Sequence, residues 1–93
     1  MIRSFKDAVT QAVFNGESPK GVPSDLLKTA RRKLRYINAA VSLNDLRAPP
    51  GNRLEALKAD RAGQHSIRIN DQFRICFVWT PEGPTAAEIT NYH

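Results

Sequence analysis

A double proline followed by glycine, Ala48-Pro49-Pro50-Gly51-Asn52, separates two stretches with different hydrophobic periods, and that change of period restricts what the chain can fold into. Proline disfavours helical geometry in the residue before it and Gly51 releases the chain to turn, so no helix runs through this point. Before it, Leu27, Ala30, Leu34, Ile37 and Val41 recur at steps of three and four, which predicts one amphipathic helix with Lys28, Arg32 and Arg35 on its flank. Ser24 is the expected N-cap, and Asp25 falls in the first turn, where a carboxylate suits the positive helix end. Upstream, Ala8, Val9, Ala12 and Val13 predict a shorter helix, residues 15–23 a loop with two glycines and two prolines, and Met1 to Phe5 a short edge strand.

Beyond the prolines the period drops to two. Ile67 and Ile69 alternate with Ser66, Arg68 and Asn70, and Phe73, Ile75, Phe77 and Trp79 alternate with Arg74, Cys76 and Val78, as in strands of an antiparallel sheet. A two-residue loop at Asn70-Asp71 would mix apolar and polar side chains on both faces. A three-residue loop, Asn70-Asp71-Gln72, sets Ile69 opposite Phe73 and Ile67 opposite Ile75, and is the expected connection. Thr80 to Pro84 is a further turn and Thr85 to Tyr92 a last strand. The expected fold is therefore α+β, with N-terminal helices packed on one face of a small antiparallel β-sheet. The helical stripe covers the Ile67/Ile69/Phe73/Ile75/Phe77 face, in a single domain spanning residues 1–93.

At 93 residues the chain can bury one core. No apolar run approaches the roughly 20 residues that cross a bilayer, so a soluble protein without membrane contact is expected. The N-terminus lacks the apolar core of a secretion signal and Cys76 is the single cysteine, which points to a reducing, cytoplasmic location. The net charge of +5 is uneven: residues 1–47 carry nine basic and four acidic side chains, residues 48–93 five of each. Lys28, Arg31, Arg32, Lys33 and Arg35 form its densest part, suited to nucleic acid, to an acidic protein, or simply to water.

The three-residue loop also sets Arg68 across from Arg74, and like charges opposed in a sheet are destabilising by a few tenths to about 1 kcal/mol. Either a bound phosphate, matched by guanidinium forks, or neighbouring carboxylates such as Glu55, Asp60 or Glu88 would offset them. Lys58 and Arg61 extend the basic surface in the turn before the Arg68 strand, and His93 brings an imidazole to the end of the chain. His65 reads as a solvent-edge residue. One cysteine and two histidines without ligand spacing suggest neither metal nor cofactor. RNA carries its own nucleophile in the 2′-OH, so a base, an acid and cations around the phosphate would suffice to cleave it.

From Pro49 to His93 the sequence resembles the HigB-type toxins of the RelE/ParE superfamily, and the resemblance reaches back to Ile2-Arg3-Ser4-Phe5 and Gly21-Val22-Pro23. It rests on Pro49-Pro50-Gly51-Asn52-Arg53-Leu54-Glu55-Ala56-Leu57-Lys58, on the block from Asp60 to Phe77, and on the terminal Asn91-Tyr92-His93. It implies a compact sheet with N-terminal helices, a toxin that cuts mRNA in the ribosomal A site, and a cognate antitoxin, typically a helix-turn-helix DNA-binding protein. By position, Lys58 and Arg74 would neutralise the scissile phosphate, and Tyr92 and His93 would orient the RNA and move protons. Arg61 and Arg68 would add phosphate contacts, with Lys28, Arg32 and Arg35 as docking cations. Glu55 stands where some members carry histidine, and could act as a base in its place. Asn91 stands where aspartate is usual and cannot take a proton, leaving it an RNA contact. Ala59 stands where glycine is common. Two other readings share this fold: a ParE-like toxin that inhibits DNA gyrase, which needs no terminal base such as Tyr92-His93 offers, and a binding module that only pairs with its antitoxin.

Overall fold

The computed structural model describes residues 1–91. Helix α1 (Ala8–Phe14) starts at Asp7, whose carboxylate accepts from Thr10 N at 2.7 Å. Helix α2 (Ser24–Ala39) begins one residue earlier than expected: Pro23 holds the N-cap position without a side-chain bond, and Ser24 is its first residue. Arg31 ties α2 to α1 and the loop after it, its Nε donating to Val13 O in the last turn of α1 at 2.9 Å and its Nη2 to Glu17 O at 3.0 Å. The apolar stripe packs as foreseen through Ala30, Leu34 and Ile37, with Leu26 buried and Leu27 only partly covered. Val41 does not belong to it. The helix ends at Ala39, and Val41 is 89% exposed beyond it.

From there a 3-10 turn, Leu43–Arg47, is closed by a capping box: Asp45 Oδ2 accepts from Val41 N at 2.9 Å and Ser42 N at 3.0 Å. These bonds to Ser42 first and Val41 second hold the Asp45 carboxyl below its ordinary pKa. A second 3-10 turn, Pro50–Asn52, follows the expected break.

The sheet is antiparallel in the order β1 (Glu55–Ala56), β2 (His65–Arg68), β3 (Phe73–Thr80), β4 (Gly83–Asn91). Residues 69–72 connect β2 to β3, one more than the expected Asn70-Asp71-Gln72 loop because Ile69 falls outside the strand, and the register pairs Ile67 with Ile75 and Arg68 with Arg74 as expected. Asn70 Oδ1 accepts from Gln72 N and Phe73 N, which stiffens that turn. At the other end the turn is shorter than Thr80 to Pro84, because β3 reaches Thr80 and β4 starts at Gly83. Gly83 has φ 123°, and a Cβ there would stand 2.9 Å from Met1 O, so the close approach of the N-terminus requires glycine.

Met1 to Phe5 forms an irregular edge rather than a regular strand. Phe5 bridges Ala87 in parallel, Arg3 N donates to Pro84 O, and Ala86 N donates to Ser4 Oγ. Ala86 sits at φ 52° where the β3–β4 register shifts, a bulge that bends β4 toward this segment. Thr10 Oγ1 accepts from Ile89 N at 2.9 Å, tying α1 to the same strand. The core lies between α2 and the Ile67, Ile75 and Phe77 face, with Leu34, Ile37, Leu46 and Val13 filling it. Among the described residues no helix is long and apolar enough to cross a membrane.

Two outcomes test this packing. Leu34→Ala should cost about 2–5 kcal/mol in denaturant unfolding while Val41→Ser stays within about 0.5 kcal/mol. Equal costs would put Val41 back in the core. A carboxyl with a lowered folded-state pKa stabilises above its unfolded pKa, and that contribution is lost as pH falls through the folded value. Asp45→Ala should therefore lower the melting temperature at neutral pH and flatten its decline below about pH 4.

Candidate RNA-binding site

The face of the sheet turned away from α2 carries the polar half of each strand. Glu55, Ser66 and Cys76 lie in one row across β1, β2 and β3, continued by Glu88 on β4, and Arg68, Arg74 and Thr90 form the next. Ser66 and Cys76 are fully buried, so this face is not an open surface.

Arg68 and Arg74 stand opposite each other as expected, yet their side chains part. Arg68 pairs with Asp71 in the hairpin turn. Arg74 Nε donates to Ser66 Oγ at 2.7 Å, and its Nη2 donates to Arg53 O at 2.7 Å. Local acceptors thus offset the expected repulsion: Asp71 for one guanidinium, a hydroxyl and a carbonyl for the other. None of Glu55, Asp60 and Glu88 has a described ion pair with either arginine; Glu88 pairs with Arg61 at 3.1 Å and with Lys6 at 3.9 Å. Arg61 also donates to Gln64 Oε1 at 3.1 Å. Arg61 therefore approaches the Arg74 face through Glu88, which stands opposite Cys76.

Glu55 is exposed on β1 opposite Ser66, the residue that holds Arg74. Lys58 is exposed just before the 3-10 turn Ala59–Arg61, and Leu57 N bonds Gln64 O to close that loop. Ala59 takes φ 55°, a left-handed conformation that glycine adopts without strain. Asn91 ends β4, exposed and paired with Phe73. Tyr92 and His93 lie outside the described residues.

Lys28, Arg32 and Arg35 are exposed on α2, across the sheet from Glu55 and Arg74, so they do not share that face. The other two cations of the basic cluster have structural work: Arg31 closes α1, and Lys33 is 5% exposed with its Nζ 2.6 Å from Asn52 Oδ1. Burial, then Arg32, then Arg68 depress the Lys33 pKa.

Sequence reading missed Ser66, a small polar residue in a strand that gives no sign of its buried hydroxyl, and the Arg53 carbonyl, a backbone group that no side-chain pattern reveals. His65 is half-buried rather than at the solvent edge, its ring stacked 6.4 Å from that of Phe77 on the core side. Among the described residues no group of three or more His, Cys, Asp or Glu side chains is gathered for a metal ion.

Comparison with known proteins agrees with this architecture. Residues 3–93 match the family described as RelE-like toxin of type II toxin-antitoxin system HigB. Toxin HigB-1 of Vibrio cholerae is 38% identical over 80 residues, covering 85% of this chain and 84% of that protein. Endoribonuclease HigB of Proteus vulgaris is 28% identical over 93 residues, the full length of both. A solved structure described as the YoeB-YefM complex from Staphylococcus aureus superposes with a TM-score of 0.63 at 17% identity over 100% of this chain and 98% of that one, a likeness of fold. By the extent of the family match and its likeness to the Vibrio toxin, the chain belongs to the HigB-like, RelE-like toxins of type II toxin-antitoxin systems.

Proposed function

We propose that this toxin is an endoribonuclease that cuts mRNA in the ribosomal A site and so stops translation. The homologous endoribonuclease of Proteus vulgaris supports the activity. The observation that carries the reading is the Arg74 guanidinium, fixed by Ser66 and Arg53 on the same sheet face as Glu55.

In the proposed reaction the 2′-oxygen attacks the adjacent phosphorus, its proton passes to a base, and the P–O5′ bond breaks as an acid protonates the leaving oxygen. A 2′,3′-cyclic phosphate and a 5′-hydroxyl result. Arg74 and Lys58 stabilise the charge that grows on the phosphate oxygens, and Glu55 is the candidate base on the described surface. Tyr92 and His93 are proposed to orient the RNA and supply the acid. Arg61, Arg68 and Asn91 add contacts to the strand, while Lys28, Arg32 and Arg35 dock the toxin on the ribosome or on its antitoxin. The nuclease chemistry needs no cofactor, and one domain over residues 1–93 carries it in the cytoplasm.

A toxin of this family implies a cognate antitoxin. We take it to be a helix-turn-helix DNA-binding protein, as is typical of HigB systems.

Removing a transition-state cation costs about 10²–10³-fold in rate for comparable single donors, so Arg74→Ala should cut the yield of discrete mRNA ends in primer extension from expressing cells by a comparable factor. Its melting temperature should fall, because Ser66 Oγ loses its donor, at a cost of about 1–3 kcal/mol. Undiminished cutting would remove Arg74 from the site, and a gyrase-type DNA damage response without new 5′ ends would favour the ParE-like reading.

Replacing Lys28, Arg32 and Arg35 together by Gln should weaken ribosome binding at low salt. If all three face single-stranded RNA, the plot of log affinity against log salt should flatten by about 2, near 0.7 for each phosphate that is no longer neutralised. Unchanged affinity for ribosome and antitoxin alike would leave these cations as a solvated face.

A further inference from the structure

Lys33 departs from the solvent-facing cations of α2. It is 5% exposed, its Nζ donates to Asn52 Oδ1 at 2.6 Å, and it lies 5.8 Å from the Tyr36 ring centroid. Asn52 is fully buried and held at both ends of its amide: Lys33 binds the oxygen, and Nδ2 donates to Leu46 O at 3.2 Å and Ala48 O at 3.1 Å. The next residue, Arg53, takes φ 45° and ψ 56°, and its carbonyl is the one that accepts from Arg74 Nη2. One hydrogen-bonded path thus leads from the helix, through the Pro50–Asn52 turn, to the guanidinium on the far face of the sheet.

Stability alone is a poor reason for an ammonium at this place. A buried charge loses its hydration, and well-packed apolar residues of similar volume often replace buried ions without destabilising the fold. Orientation is the better account. A guanidinium held by fixed acceptors keeps its direction, and a misplacement of about 1 Å can cost on the order of 100-fold in rate.

We propose that Lys33 is a positioning residue for Arg74: by fixing Asn52 it fixes the Arg53 carbonyl, which with Ser66 aims the guanidinium at the scissile phosphate. This rests on the assignment of Arg74 to the RNA site. Lys33 itself touches no RNA in this scheme, so its replacement changes the chemical step and leaves binding intact.

The test is a double-mutant cycle on the full chain, read by single-turnover cleavage of mRNA bound to ribosomes. Lys33→Met should lower the saturating rate constant on the order of 10- to 100-fold while the half-saturating toxin concentration stays within about twofold. In an Arg74→Ala background the same substitution should lower the rate no further. The Arg74 Nε–H resonance should shift in Lys33→Met protein, reporting the altered bond to Ser66. Should Lys33→Met not fold, Lys33→Gln, polar but shorter by one bond, gives the same readings. A folded Lys33 variant that cleaves at the wild-type rate, or whose effect multiplies in full with that of Arg74→Ala, overturns the proposal. Wild-type cleavage by Arg74→Ala alone is a separate failure, that of the RNA-site assignment.

Discussion

The pairing register of β2 and β3 fixes most of what this molecule can do. With Ile67 against Ile75 and Arg68 against Arg74, every apolar strand residue that α2 covers falls on one face, and Ser66, Cys76 and Arg74 fall on the other. A slip of one residue would send Ile75 and Phe77 away from Leu34 and Ile37 and bring Arg74 into the core. Core packing and site geometry therefore stand or fall together. Asn70, whose side-chain oxygen collects two amides of the turn, is the local device that stiffens the hairpin loop.

A second arrangement sets the electrostatics of the polar face. Cations crowd it and α2, yet the three arginines near the site each have a local acceptor: Asp71 for Arg68, Glu88 for Arg61, Ser66 and the Arg53 carbonyl for Arg74. Acceptors of this kind hold a guanidinium in place without cancelling its charge when they are neutral, as hydroxyl and carbonyl groups are. The hydroxyl of Ser66 and the carbonyl of Arg53 hold Arg74 in that way, and carboxylates meet Arg61 and Arg68.

The periodicities make much of this fold legible. The 3.6-residue stripe locates α2, the strict alternation locates β2 and β3, and matching their faces selects the loop and hence the Arg68–Arg74 pair. Val41 misleads because its spacing continues the stripe, while the helix stops at Ala39 and the chain turns away. The N-terminal edge bridges β4 in parallel for a reason no local pattern carries: the bulge at Ala86 and the missing Cβ at Gly83 that lets Met1 approach. Within the site, the resemblance to HigB toxins names the ionisable residues. Ser66 and Asn52 stay hidden because their part depends on burial and on backbone carbonyls, which one-dimensional spacing does not encode. Lys33 is hidden in another way, as one more charge in a basic run, although the fold takes it out of solvent.

Cleavage by this route depends on the RNA supplying its own nucleophile next to a fixed guanidinium. End-group analysis of mRNA fragments made by the purified toxin on ribosomes tests that most directly. Attack by the 2′-oxygen leaves a 2′,3′-cyclic phosphate on the upstream fragment and a 5′-hydroxyl on the downstream one, and both ends should appear at every cut. Fragments that carry 5′-phosphate and an intact 2′,3′-diol would show that water was the nucleophile and would contradict the mechanism.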